Sequence, residues 1–136
     1  MTTHRRIGLT GGLLSVLFAV GCGGSPEFVF NLPTPSGSVV SFIATTTDPE
    51  VLTAAREELD RPESDRSLYI LGRLAEGNGG HNVGWNWHFI PGGWELTDTS
   101  MDLCDADPQF VEDTLQDWIQ KIGRYCPKGA RLTAER

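Results

Sequence analysis

One stretch near the start decides how much of this chain can fold as a domain. Residues 7–20 are largely apolar, carry no charge and follow Arg5 and Arg6. They end in the small residues Ala19-Val20-Gly21, directly ahead of Cys22. A basic n-region, a short apolar h-region and a small-residue cleavage site mark a secretory leader, which is removed and takes no part in the fold. A membrane-spanning helix needs about 20 apolar residues, and this run is too short and too diluted by glycine. The folding chain is therefore expected to begin near Cys22, outside the cytoplasm, with length for one domain around one core.

The cysteine placed after Gly21 resembles the lipobox of bacterial lipoproteins. That resemblance implies residues 1–21 as a lipoprotein signal peptide, residues 22–37 as a lipidated cysteine and tether, and residues 38–136 as the domain. It also implies diacylation of the Cys22 thiol, with palmitate as a usable label. Ala19 stands where that family usually has leucine, and the plain alternative is an ordinary secretory leader with a cysteine near its end. Gly23 is not the aspartate that retains many such lipoproteins at the inner membrane. The expected location is thus the bacterial outer membrane or cell surface, with two or more acyl chains as the anchor.

Charge narrows the partners. The chain has 11 Lys and Arg against 18 Asp and Glu, a formal net charge of −7, and loses Arg5 and Arg6 with the leader. A chain this acidic lacks the basic footprint that nucleic acid requires, and it has no electrostatic pull toward anionic headgroups. Of 3 cysteines, assigning Cys22 to lipid leaves Cys104 and Cys126. In an oxidising compartment an even pair reads as a disulfide, with a reactive free thiol as the alternative.

Residues 27–32 alternate like a strand until Pro33 and Pro35 interrupt them, and residues 38–47 form a β-branched and aromatic strand. Asp48-Pro49-Glu50 supplies an N-cap, a first-turn proline and a first-turn acid. In the helix that follows, Val51, Leu52, Ala55 and Leu59 make the apolar stripe, while Arg56, Glu57 and Glu58 are expected to face water. Residues 67–74 read as a buried strand and residues 76–83 as a flexible glycine-rich loop with the turn pair Asn78-Gly79. Next, Trp85, Trp87 and Phe89 alternate with Asn86, His88 and Ile90, and Pro91-Gly92-Gly93 is expected to turn the chain into another strand from Trp94. A second Asp-Pro start, Asp107-Pro108, opens a helix of about 15 residues with Val111, Leu115, Trp118 and Ile122 inward, stopped by Gly123. Residues 129–134 close the chain as a strand. The order β-β-α-β-β-β-α-β predicts a single small α+β domain, two helices packed on a mostly antiparallel sheet.

Several motifs fall in a combined order that is similar to one family. They are Asp48-Pro49, Gly72-Arg73-Leu74, Trp85-Asn86-Trp87-His88, Cys104-Asp105-Ala106-Asp107-Pro108 and Gly123-Arg124-Tyr125-Cys126-Pro127. Together they resemble the N-terminal domain of a slime-mould calmodulin-binding protein, across about residues 38–135. Lys128 departs from that pattern, which has an aromatic there. The resemblance implies a fold and carries no catalytic residues. Calmodulin binding does not transfer with it: calmodulin targets are basic amphipathic helices, whereas these two helices carry Glu50, Glu57 and Glu58, and Glu112, Asp113 and Asp117.

Chemistry-bearing residues are sparse. His81 and His88, seven apart across a glycine loop, match no metal-ligand spacing, so no metal and no cofactor is expected. Asp98, Asp102, Asp105 and Asp107 crowd one segment without matching a calcium loop, which leaves weak calcium binding open. Ser100, His88 and Asp102 compose a triad on paper, with no nucleophile elbow behind it. The expected recognition surface is His81, Asn86 and His88 with Trp94 from the next strand; the competing expectation is that Asn86 and His88 only satisfy structural hydrogen bonds. The resulting expectation is a membrane-tethered extracytoplasmic binding module for a protein, peptide or glycan. The alternative is a small envelope hydrolase using His88 and nearby aspartates.

Overall fold

The computed structural model describes residues 24–99 and 102–136, so the leader, Cys22 and Ser100 lie outside the described residues. Five strands and three short helices follow in order: β1 (Glu27–Pro33), β2 (Val39–Thr45), α1 (Pro49–Asp60), β3 (Tyr69–Glu76), β4 (Trp87–Thr97), α2 (Pro108–Asp113), α3 (Leu115–Asp117) and β5 (Arg131–Glu135). The strands make two antiparallel sheets, β2-β1-β5 and β3-β4. The fold is α+β, as its sequence predicts.

β1 and β2 form a hairpin registered from Glu27↔Thr45 to Pro33↔Val39, and β5 pairs with the other side of β1. β1 is therefore the central strand of its sheet. Residues 27–33 belong to the domain, which starts ahead of the expected boundary at residue 38. Alternation along β1 sends Phe28 and Phe30 inward, where Phe30 stacks on Phe42 at 5.3 Å between centroids. Trp94 meets both, edge to face, at 6.2 Å from Phe28 and 6.1 Å from Phe30. Burial of each such ring contributes roughly 2–3 kcal/mol, so this aromatic layer between the sheets is the main source of stability.

Asp48 caps α1 by accepting from the Glu50 amide at 2.9 Å, with Pro49 at the first helical position, and Asp107 caps α2 in the same way through Gln109 at 2.8 Å. Glu58 is a correction. It does not face water: it is 1% exposed, and its Oε1 accepts from the amides of Ser67 at 2.9 Å and Leu68 at 3.2 Å. Those amides belong to the segment entering β3, so the carboxylate anchors α1 to the next strand.

Pro91-Gly92-Gly93 differs from expectation as well. It does not turn the chain into a new strand; β4 runs through it as an 11-residue strand. Pairing jumps from Gly72↔Trp94 to Leu74↔Phe89, so residues 90–93 bulge opposite Arg73. The chain beyond the bulge stays on β3, because Gly72 lets the two backbones close on each other. A Cβ at Gly72 would lie 2.4 Å from the Trp94 Cβ and 2.7 Å from the Gly93 carbonyl oxygen.

The second helix is broken too. Thr114 leaves helical geometry at φ −127° and ψ 31°; its hydroxyl donates to the Phe110 carbonyl at 2.7 Å and accepts from the Trp118 indole at 3.2 Å. Such back-bonding bends helices. Residues Trp118–Ile122 then form a π turn closed by Gly123 N–H to the Trp118 carbonyl at 3.0 Å, with Gly123 left-handed at φ 79°. The wider turn shifts the phase of the apolar stripe. Val111 and Trp118 stay buried, Leu115 is partly buried, and Ile122 is exposed, contrary to its expected inward position.

Candidate functional site

The cluster around the tryptophan-rich strand is built on a structural demand. β2 is an edge strand, and the backbone groups on its open side need partners. Side chains supply them at every second residue: Trp85 Nε1 donates to the Ser41 carbonyl at 2.9 Å, Ile43 N–H donates to Asn82 Oδ1 at 2.9 Å, and Trp94 Nε1 donates to the Thr45 carbonyl at 2.8 Å. Asn82 also donates from Nδ2 to the Trp87 carbonyl at 2.8 Å, stitching β2 to β4. Consequently the glycine-rich loop is pinned, not loose, with Asn82 at 1% and His81 at 7% exposure.

Each expected recognition residue has a definite place. His81 and His88 meet edge to face at 5.4 Å, on either side of Gly79. Carbonyls only accept, so His88 Nδ1 donates to Gly77 O at 2.7 Å and His81 Nδ1 donates to Gly79 O at 3.1 Å. His81 Nε2 is buried with no partner. Burial, the largest influence, holds the His81 imidazole below the usual histidine range, and the neighbouring His88 acts in the same direction. Asn86 is exposed, but its amide and backbone N–H grip Glu112 of α2, with Nδ2 to Oε1 at 2.7 Å. Trp94 is core, on the far side of the bulge from the histidines. The structure thus brings His81 and His88 together and separates them from Trp94.

The acidic segment is largely committed to the disulfide region. Cys104 and Cys126 are joined, with Cα atoms 5.1 Å apart. Lys128, where the family pattern has an aromatic, forms an ion pair with Asp102, and its amide donates to Asp105 Oδ1 at 3.1 Å. That hydrogen bond and charge pull the Asp102 carboxyl below its ordinary range and raise Lys128. Asp107 is spent on the α2 cap. Among the described residues no group of three or more His, Cys, Asp or Glu side chains is placed to hold a metal ion.

A second constellation escapes the reading of single motifs. Gly72 and Tyr125 exchange two backbone hydrogen bonds, Gly72 N–H to Tyr125 O at 3.1 Å and Tyr125 N–H to Gly72 O at 2.8 Å. The bridge lays Gly123-Arg124-Tyr125 along β3, so Arg124 and Arg73 come to the same place. They line a cavity of about 490 Å³, together with the start of α1 at Asp48 and Glu50, the bulge at Gly92 and Gly93, and Glu95. That volume lies in the range of small-ligand sites. The sequence signal was present in the repeated Gly-Arg-apolar pieces, which as isolated motifs offer no chemistry. Three separate family motifs, Asp48-Pro49, Gly72-Arg73 and Gly123-Arg124, converge on this one cavity.

Fold and site therefore define a small, disulfide-closed α+β domain with a mixed-charge cavity at the end of its two-stranded sheet. The model of the calmodulin-binding-protein N-terminal domain family matches residues 24–136, and the chain belongs to that family, as the motif order implied. The match takes in β1, in line with its central place in the sheet. No curated protein and no solved structure matches the chain.

Proposed function

We propose that this protein is a lipoprotein of the bacterial envelope, anchored through Cys22 at the outer membrane or cell surface, whose domain is a binding module with its ligand seat in the arginine-lined cavity. The observation that carries the seat is the convergence of three family motifs, from β3, the start of α1 and the segment after α3, on one cavity. Structural hydrogen bonding accounts for the tryptophan and asparagine positions, whereas Arg73 makes no bond with any described residue that would explain it structurally. The anchor is supported by the leader and Cys22, and no described helix is long and apolar enough to cross a membrane.

Two measurements test this reading. Palmitate label should enter the full chain in cells and disappear with Cys22→Ser; label that persists refutes the anchor. Residues 24–136 hold the core strands and helices, and this domain, immobilised and exposed to envelope extract, should retain a ligand that Arg73→Ala fails to retain. Equal retention by both refutes the cavity as the seat.

A further inference from the structure

The charges around the cavity are arranged in a way that a purely structural role leaves unexplained. Arg73 and Arg124 share its lining with three carboxylates, Asp48, Glu50 and Glu95. Asp48 is engaged in the α1 cap. Arg73, Glu50 and Glu95 are exposed, and among the described residues none of their side chains forms a hydrogen bond or ion pair. Opposite charges thus line one small cavity without neutralising one another. Strand geometry keeps two of them apart: Glu95 lies opposite Leu71, two residues from Arg73 on the same face of β3. That diagonal spans about 7–8 Å between Cα atoms, close to the length of two peptide units. Residues 90–93 bulge opposite Arg73, and Gly92 and Gly93 bring no side chain into the space beside it.

We infer that the cavity binds the free-ended, zwitterionic form of a short peptide, with Arg73 receiving its carboxylate and Glu95, seconded by Glu50, receiving its ammonium group. This inference rests on the reading of the cavity as the ligand seat and names its ligand class. A lone anion in the cavity faces three carboxylates, and a lone cation faces two guanidinium groups. A ligand carrying both charges, spaced as Arg73 and Glu95 are, meets complementary partners at each end. The guanidinium fork matches a carboxylate in bidentate fashion. The glycine wall leaves backbone amide and carbonyl groups open to the peptide between its ends, and about 490 Å³ accommodates a tripeptide.

The test uses trialanine as the probe in three forms, with one lipid-derived control, against the 24–136 domain, by calorimetry. The forms are the free peptide, its N-acetyl derivative and its C-terminal amide; the control is glycerophosphoethanolamine, a zwitterion of lipid origin. The free peptide should bind, and blocking either end should weaken it at least tenfold. Arg73→Ala should erase the difference between free acid and amide, and Glu95→Gln the difference between free amine and acetyl form. Both side chains are exposed, so melting temperatures should stay unchanged and verify that the variants are folded. Equal affinity for all three peptides, no binding of trialanine at millimolar concentration, or binding of the phosphoethanolamine alone would each overturn the inference. Should trialanine fail while Arg73-dependent retention of an envelope ligand persists, the ligand class is wrong and the seat stands; if retention ignores Arg73, both fall.

Discussion

Replacing Asn82 by alanine should cost about 3 kcal/mol of stability. The side chain is 1% exposed and makes two bonds that no backbone group can replace, from Ile43 N–H and to the Trp87 carbonyl. Leaving a buried donor or acceptor unpaired costs about 1–3 kcal/mol per group. The Trp87 bond is fully buried and the Ile43 bond only partly, so the first takes the upper part of that range and the second the lower. For a domain of this size each kcal/mol moves the melting temperature by roughly 4 °C, so the expected loss is about 12 °C. Guanidinium unfolding should show the midpoint falling with the slope unchanged. Asn82→Asp separates the two bonds, since it keeps the acceptor for Ile43 and loses the donor for Trp87. Its buried carboxylate should have a raised pKa in the folded state. Stability should therefore be poorest above the unfolded-state value near ~3.9 and recover as pH falls and the acid form regains a donor. A cost below about 1 kcal/mol for Asn82→Ala would refute the claim that this amide joins the two sheets.

Further outcomes follow from other parts of the fold. Gly72→Ala should cost about 3 kcal/mol or more, because its Cβ would meet the backbone and Cβ of Trp94 rather than a flexible tip; an unchanged melting curve would contradict the close approach of β3 and β4. Reducing the Cys104–Cys126 bond, which spans 22 positions, should cost roughly 3 kcal/mol in the chain-entropy picture, seen as a lower denaturation midpoint in the presence of a reductant. His81 has its pKa lowered by burial and by His88, with the Gly79 carbonyl and Glu27 opposing. The unfolded chain then takes up a proton first, and stability should fall as pH drops through about 6.5. Asp102 and Glu135, whose pKa values are lowered by Lys128 and Arg56, lose their contribution only at more acid pH. His81→Gln should flatten the slope between pH 7 and 5; an identical slope would show that His81 is not its source.

Much of the scaffold is legible from local chemistry. The two Asp-Pro pairs announce both major helix starts, because a side-chain cap and a fixed proline φ act within a single turn. Alternation places Phe28 and Phe30, and Trp87 and Phe89, inward without knowledge of their partners. What escapes is set at long range. Pro91-Gly92-Gly93 has the same local chemistry whether it turns or bulges, and the choice is made by pairing of Trp94 with Gly72. Glu58 is polar and sits beside solvent-facing residues, yet Ser67 and Leu68 carry their amides onto it. Ile122 keeps helical spacing in the sequence and loses it to a π turn that Thr114 and Gly123 frame. The candidate site follows the same division. The histidine and asparagine positions stand out by residue type and prove to be bonded to the protein itself. Arg73 and Arg124, some fifty positions apart, meet only because Tyr125 bridges to Gly72.

The central claim is that binding resides at Arg73 and structure at Asn82, and one paired measurement addresses it. Ligand retention from envelope extract and melting temperature are recorded side by side for the wild-type domain, Arg73→Ala and Asn82→Ala, the binding at a temperature where all three are folded. The account predicts that Arg73→Ala abolishes retention with its melting temperature unchanged, while Asn82→Ala melts about 12 °C lower and still retains the ligand. Full retention by Arg73→Ala, together with loss of retention in folded Asn82→Ala, would place the binding surface on the tryptophan-rich strand and contradict the account.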